Sequence, residues 1–476
     1  MRNRTANRIA AALLGVHAAL LAWAATKHSP SIDEVGHMAA GASHWHFGHF
    51  DLYRVNPPLV RLVATLPVTL LKPAMDWDAH SASPGARSEF DCGERFIQAN
   101  GQRSFWLFTV ARWACIPFSL LGGLVCYRWA GELYGASAGL LALALWFFCP
   151  NILAHGQMIT PDVGAASVGA AACYAFWRWL RGPTWPRAVA AGLVLGAAEL
   201  TKATFVVLYG IWLVEWVVWR MTAPAGQATR LGGRQATGRQ PAKPRLQQAA
   251  QLAVVTVLSV YVINLGYAFE GCFKPLGDYQ FISEALAGPR DAEEIEPRPV
   301  NRFVDSPLAR VPVPLPANYA LGIDRQKSDF ERGYDSYLRG EWRHGGWWYY
   351  YVYGLAIKVP LGTWTLFMLA FGVGWALPRK NPRRWQDDAG SDTESPGGRY
   401  PPCAGWRDEF VLLLPAATIL MLVSSQTGFN HHLRYVLPIF PFVFIWIGRL
   451  GRLFDNATER HRVRSLQKCA IALALG

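Results

Sequence analysis

The chain is poor in charge. Asp, Glu, Lys and Arg make up only 17% of its 476 residues, too few to clothe a soluble fold of this size. Acids are the scarcer sign, 33 against 46 bases. The eight cysteines show no metal-ligand spacing, and no clear internal repeat runs along the chain. What fills the sequence instead is apolar: 52% hydrophobic residues and 21 Trp, in windows that recur from end to end rather than in one core. That pattern is an all-α polytopic membrane protein.

A span needs about 20 apolar residues to cross about 30 Å of hydrocarbon. Candidates fall near 9–26, 105–127, 137–154, 163–180, 187–201, 203–219, 249–268, 352–377, 410–429 and 435–448, which predicts about ten spans in a single transmembrane domain over 1–476. Arg2, Arg4 and Arg8 before an apolar run with Ala22-Trp23-Ala24 also read as a signal peptide. The closing run 469–476 begins a further apolar stretch, and the chain is read as a possible fragment.

Charge placement orients the spans. With the N-terminus in the cytoplasm, the inside segments hold 25 Lys and Arg against 9 Asp and Glu. The two long outside loops, 27–104 and 269–351, hold 17 against 21. This follows the positive-inside rule, so the basic excess reports topology and gives no reason to invoke nucleic acid. The expected location is an inner membrane, with the long loops on the extracytoplasmic face. Segments 220–248 and 378–408 read as cytoplasmic linkers. In the first outside loop, 37–50 and 56–72 are too short to span and fit interfacial helices, whereas 269–351 predicts irregular structure ending in the aromatic belt GGWWYYYVYG. Cys92 and Cys272 fall in outside loops, where they either pair or remain free thiols.

On this topology the unusual polar residues share one side. Asp33, Glu34 and His37 follow the first span, Asp162 opens the fourth, Lys202 joins the fifth and sixth, Lys358 lies near the outer end of the eighth, and His431, His432 and Arg434 join the last two. Charges at membrane depth cost roughly 2.5 to 3.5 kcal/mol each on insertion scales, so acids and bases converging at one depth predict a shared polar cavity. A carboxylate in such a cavity can take the proton of an attacking hydroxyl, and Asp33 is the first candidate, with Glu34 weaker. An anionic phosphate group needs positive charge, which Arg434, Lys358 and Lys202 can supply, with Arg54 and Arg61 around Asn56-Pro57-Pro58 reaching the same group. Trp347, Trp348 and Tyr351 are candidates to line an apolar groove.

Each of these has a plainer reading. Thr160-Pro161-Asp162 is also a helix start, with Thr as cap and Asp on the dipole. His28, His37, His44, His46 and His49 invite a metal site or are solvated interfacial side chains; if a divalent ion binds, Asp33, His37 and Asp162 are its candidates. The Trp-Tyr run is also an interface anchor, and Lys202 and Lys358 can snorkel to headgroups.

In SIDEVGHMAAGASHWHFGHFDLYRVNPPLVRLVATLP (31–67), ITPD (159–162), GLVLGAAELTKAT, YLRGEWRHGGWWYYYVYGLAIKVPL (337–361) and HHLRYVLPIFP (431–441), taken in order, the chain resembles the GT-C fold glycosyltransferases, above all the protein O-mannosyltransferases and lipid A aminoarabinose transferases. The resemblance implies transfer of a sugar from a polyprenyl-phosphate carrier to an acceptor, protein or glycolipid, outside the membrane, with the carrier's phosphate at these cations and its isoprenoid along these aromatics. It also implies an acidic residue in the first outside loop as the catalytic base that deprotonates the acceptor hydroxyl, matching Asp33, and a second acid at the start of a later outside loop, matching Asp162. The competing classes are a transporter or lipid flippase, which would place its site near the bilayer midplane between repeats, and a membrane-anchored binding protein docking through 269–351.

Overall fold

The computed structural model describes residues 2–222, 243–288, 300–376 and 404–455. Most of the two predicted linkers, Cys403 and the run 469–476 lie outside them. The described chain is almost wholly helical, as expected. It begins with α1 (Arg2–Ala25), α2 (Ile32–Phe47), α3 (Leu59–Leu70), α4 (Glu89–Asn100), α5 (Arg103–Tyr134), α6 (Ala136–Phe148), α7 (Pro150–His155), α8 (Pro161–Arg181) and α9 (Trp185–Glu199). After a 3-10 turn at Ala203–Val206 come α10 (Val207–Met221), α11 (Lys243–Gly266), α12 (Glu284–Ala287), α13 (Ala317–Arg332), the hairpin β1 (Asp335–Leu338) and β2 (Glu341–His344), α14 (Tyr350–Lys358) and α15 (Leu361–Ala376). The last part holds the helix Trp406–Ser425 and a 3-10 segment, Leu433–Ile439, that runs into the helix Phe440–Ile447.

Six of these helical stretches are long and apolar enough to cross a bilayer: Arg4–Ala25, Arg103–Tyr134, Ala203–Met221, Arg245–Gly266, Trp406–Ser425 and Leu433–Gly451. α14 and α15 add a seventh if their 106° bend counts as one broken span. The chain is an integral multi-pass membrane protein, but the ten expected spans are not confirmed. All ten segments are helical, yet Pro150 ends α6 after 13 residues, α9 stops after 15, and α8 dilutes its apolar residues with Gly, Ala, Asp162 and Arg178.

Helices α5, α6, α8, α9 and α10 pack with the last two helices around one large apolar core that includes Trp129, Trp146, Trp177 and Phe176. The first long loop forms its own layer above it. There α2 is buried along Glu34–His44, pressed between α3 and α4. Small residues permit that closeness: a Cβ on Gly41 would meet the Thr65 Oγ1 at 2.5 Å and the Arg61 carbonyl at 2.7 Å, and one on Gly93 would meet the Val35 carbonyl at 2.5 Å. The interfacial helices expected in this loop are present as α2 and α3, although α2 starts earlier, at its cap Ser31, and ends at Gly48 with φ 70°.

The 269–351 segment departs from its expected irregularity. It contains the 16-residue α13 and a two-stranded hairpin. The hairpin and its flanks hold the loop before Arg434: the Asn430 N–H donates to the Ser336 hydroxyl at 2.7 Å, the Tyr334 N–H to Gly428 O at 3.0 Å and the Gly346 N–H to Thr427 O at 2.6 Å. Cys92 and Cys272 are both free thiols, Cys92 fully buried against Ala39, Ala40 and Leu52, so the disulfide alternative falls.

Candidate functional site

Asp33 and Glu34 are neighbours in sequence but face different surroundings, because successive residues on a helix point about 100° apart. Glu34 turns into the protein. Its carboxylate accepts two bonds from Arg112 of α5, both at 2.7 Å, and the backbone N–H groups of Ser31 at 3.0 Å and Ile159 at 3.3 Å. Arg112 spends its other N–H groups on the carbonyls of Ala25, His28 and Ser29. Both side chains are essentially out of solvent, 0% and 2% exposed. Glu34 therefore caps α2 and ties the end of α1 to the turn leading into Asp162, away from the cavity in which it had been a catalytic candidate.

Asp33 turns the other way. Its Oδ2 accepts from Arg434 Nη1 at 2.7 Å. Arg434 Nε lies 3.7 Å from Asp162 Oδ2, and Asp162 Oδ1 accepts from Lys202 Nζ at 3.3 Å. The result is a row of alternating charge, Asp33, Arg434, Asp162, Lys202, assembled from α2, the Leu433–Ile439 segment, the start of α8 and the connector after α9. Lys202 also lies 5.2 Å over the Tyr435 ring. Burial pushes the Asp33 carboxyl up, but the hydrogen bond and charge of Arg434 outweigh it and hold the group below its usual 3.8. His37, one turn along α2, is driven to about 3 by burial and the Arg61 charge, so it is neutral. His432 is lowered by burial and by Arg434.

These groups line a cavity of about 640 Å³. Of the residues expected there, the structure brings together Asp33, His37, Asn56, Asp162, Lys202, Tyr351, His431, His432 and Arg434. It leaves out several others. Arg54 donates to Asn318 Oδ1 and to the carbonyls of Ala82 and Ser83, and the fully buried Arg61 donates to the carbonyls of Tyr53 and Asn56; both fasten loops rather than reach the cavity. Lys358 is exposed at the bend between α14 and α15. Trp347 is buried beside Asn430 and Trp348 is 69% exposed, both off the lining. Among the described residues no group of three His, Cys, Asp or Glu is arranged to hold a metal; Asp33, His37 and Asp162 share the cavity, but the Arg434 guanidinium bridges the two carboxylates.

Sequence reasoning missed the outer wall. It comes from α13 and from Arg87, whose guanidinium donates to Glu89 at 2.7 Å and to Asp329 of α13 at 3.0 Å while lying 5.9 Å over the Tyr53 ring. Asp329 also pairs with Arg325 at 3.2 Å and accepts from the Tyr334 hydroxyl at 3.1 Å. The signal was present in α13, where Tyr319, Ile323 and Phe330 recur at near-helical spacing between charged residues. On another wall Val206, Val207, Ile419, Leu422 and Val423 offer an apolar surface continuous with the spans.

Residues 105–225 match the family model described as dolichyl-phosphate-mannose-protein mannosyltransferase, about a quarter of the chain. None of the curated proteins matches this chain. Two solved structures of ArnT from Cupriavidus metallidurans are similar over 99% of it, one bound to undecaprenyl phosphate (16% identity, TM-score 0.48) and one in the apo state (17% identity, TM-score 0.48). The chain spans 63% and 64% of the length of those two proteins.

Proposed function

We propose that the protein is an integral membrane glycosyltransferase of the GT-C type, moving a sugar from a polyprenyl-phosphate-linked donor to an acceptor protein or glycolipid. The carrying observation is one cavity that combines an ionised carboxylate, two cations and an apolar wall. The match of 105–225 to a family of lipid-phosphate-sugar enzymes supports the same reading. The charge asymmetry of the loops favours a multi-pass inner-membrane protein with this cavity on the extracytoplasmic face.

In this reading Asp33 takes the proton of the acceptor hydroxyl as its oxygen bonds to the anomeric carbon. The bond from that carbon to the phosphate oxygen breaks, its electron pair leaves with the lipid phosphate, and the sugar configuration inverts. Arg434 and Lys202 stabilise the charge gathering on the departing phosphate, and Asp162 holds both cations in place. The wall of Val206, Val207, Ile419, Leu422 and Val423 takes the isoprenoid.

The test uses membranes carrying wild type or Asp33→Asn, a panel of radiolabelled polyprenyl-phosphate sugars and a cell-envelope extract as acceptor. Transfer by wild type that the inserted variant has lost supports the reading and names the donor. Retained transfer in the variant removes Asp33 from the chemistry, and silence of the wild type with every donor returns weight to a transporter.

A further inference from the structure

Among the described residues that line the cavity, the Thr160 hydroxyl and the His37 Nδ1 are left without partners in places where folds rarely tolerate it, as are the Nε atoms of Arg325 and Arg434. Thr160 occupies the N-cap position of α8 with extended backbone, φ −100° and ψ 152°, yet its hydroxyl makes no cap bond. It is 2% exposed, and Oγ1 has no hydrogen-bond partner. The sequence expectation that Thr160 caps this helix is thus not met, and the hydroxyl is spared for something else. His37 is 3% exposed, lines the same cavity and has an unpartnered Nδ1. Its ring is fixed against Tyr53, with centroids 4.6 Å apart. One residue lies a turn beyond Asp33 and the other two residues before Asp162, so the pair flanks both acids.

The chemistry of this pair differs from that of the cations beside it. A hydroxyl and a neutral imidazole can each donate or accept, which matches a sugar hydroxyl, itself a donor and an acceptor on one oxygen. We propose that His37 and Thr160 form the subsite that reads the hydroxyls of the transferred sugar. This deepens the transferase reading above and rests on it.

Full-length wild type, Thr160→Val, Thr160→Ser and His37→Gln would be reconstituted in liposomes. They would be supplied with the polyprenyl-phosphate sugar that wild type transfers and its single-position deoxy analogues. The expected result is that wild type disfavours at least one deoxy analogue by about tenfold or more in kcat/KM. Thr160→Val then loses about tenfold on the parent donor but nothing on the deoxy analogue whose hydroxyl it reads, and Thr160→Ser restores the parent rate. His37→Gln should show the same selective loss against a second position. Equal losses on parent and deoxy donors, or a wild type that ignores every deletion, overturn the subsite while leaving the transferase intact. A wild type inactive with all donors removes both.

Discussion

Replacing Glu34 should damage the fold rather than the chemistry. In Glu34→Ala the Arg112 guanidinium stays buried at 2% exposure with its carboxylate partner gone. Breaking such a pair costs about 3 to 5 kcal/mol, and because Arg112 keeps the carbonyls of Ala25, His28 and Ser29 the lower end applies. Loss of the Ser31 cap interaction adds about 1 kcal/mol. The expected total, about 4 kcal/mol, is a large share of the stability of a typical domain. Heating the detergent-solubilised protein and following the monodisperse fraction by gel filtration measures it. Arg112→Ala should fall as far as Glu34→Ala, and the double variant should be little worse than either, since the two share one interaction. A Glu34→Gln protein with the wild-type melting temperature and no transfer would refute this reasoning and return Glu34 to the reacting groups.

Asp33→Asn, which keeps size and exposure, should melt like wild type while transfer falls to background in the radiolabelled assay. Asp33 is also expected to set the acid limb of kcat/KM. Its folded pKa is depressed, so the contribution of its charged form is fully present above the ordinary value of 3.8 and is lost only as pH falls through the lower folded value. In Arg434→Ala the main interactions that hold the Asp33 carboxyl down are gone while burial and the Asp162 charge still raise it, so the limb should move to higher pH and donor KM should rise in a pH series; an unmoved limb would separate the two residues. Gly41→Ala should lower the melting temperature of the solubilised protein, because the new methyl meets the Arg61 carbonyl and forces α2 from α3.

The convergence of Asp33, Asp162, Lys202 and Arg434 was legible because charge is expensive at membrane depth, so polar residues at span ends on one side have few places to go but one shared cavity. Which of two adjacent acids faces that cavity was not legible. The answer for Asp33 and Glu34 depends on where α5 places Arg112, 78 residues later. Arg54 and Arg61 misled for a related reason. Their position beside Asn56-Pro57-Pro58 announces a tight turn, and a tight turn exposes carbonyls that a guanidinium can satisfy as readily as a phosphate can occupy it. The span count stays unconfirmed where helices are shielded by other helices: α8 is buried along most of its length and carries Ala and Gly instead of a uniform apolar surface. The outer wall was overlooked because α13 lies within a Pro-rich, mixed-charge loop whose composition masks a short helical period.

The alternating row has a consequence for timing. Its two carboxylates and two cations cancel, so the cavity holds a ready base that is nonetheless occupied. Among the described residues Asp33 is held by Arg434 alone, whereas Asp162 is held by Arg434 and Lys202. A phosphate arriving beside these cations competes for the guanidinium, and Asp33, with no second cation, is the carboxylate it sets free. In the proposed reaction the donor therefore unlocks the base. The acceptor is activated second, and a water molecule that wanders in first meets a carboxylate whose basicity Arg434 still holds down.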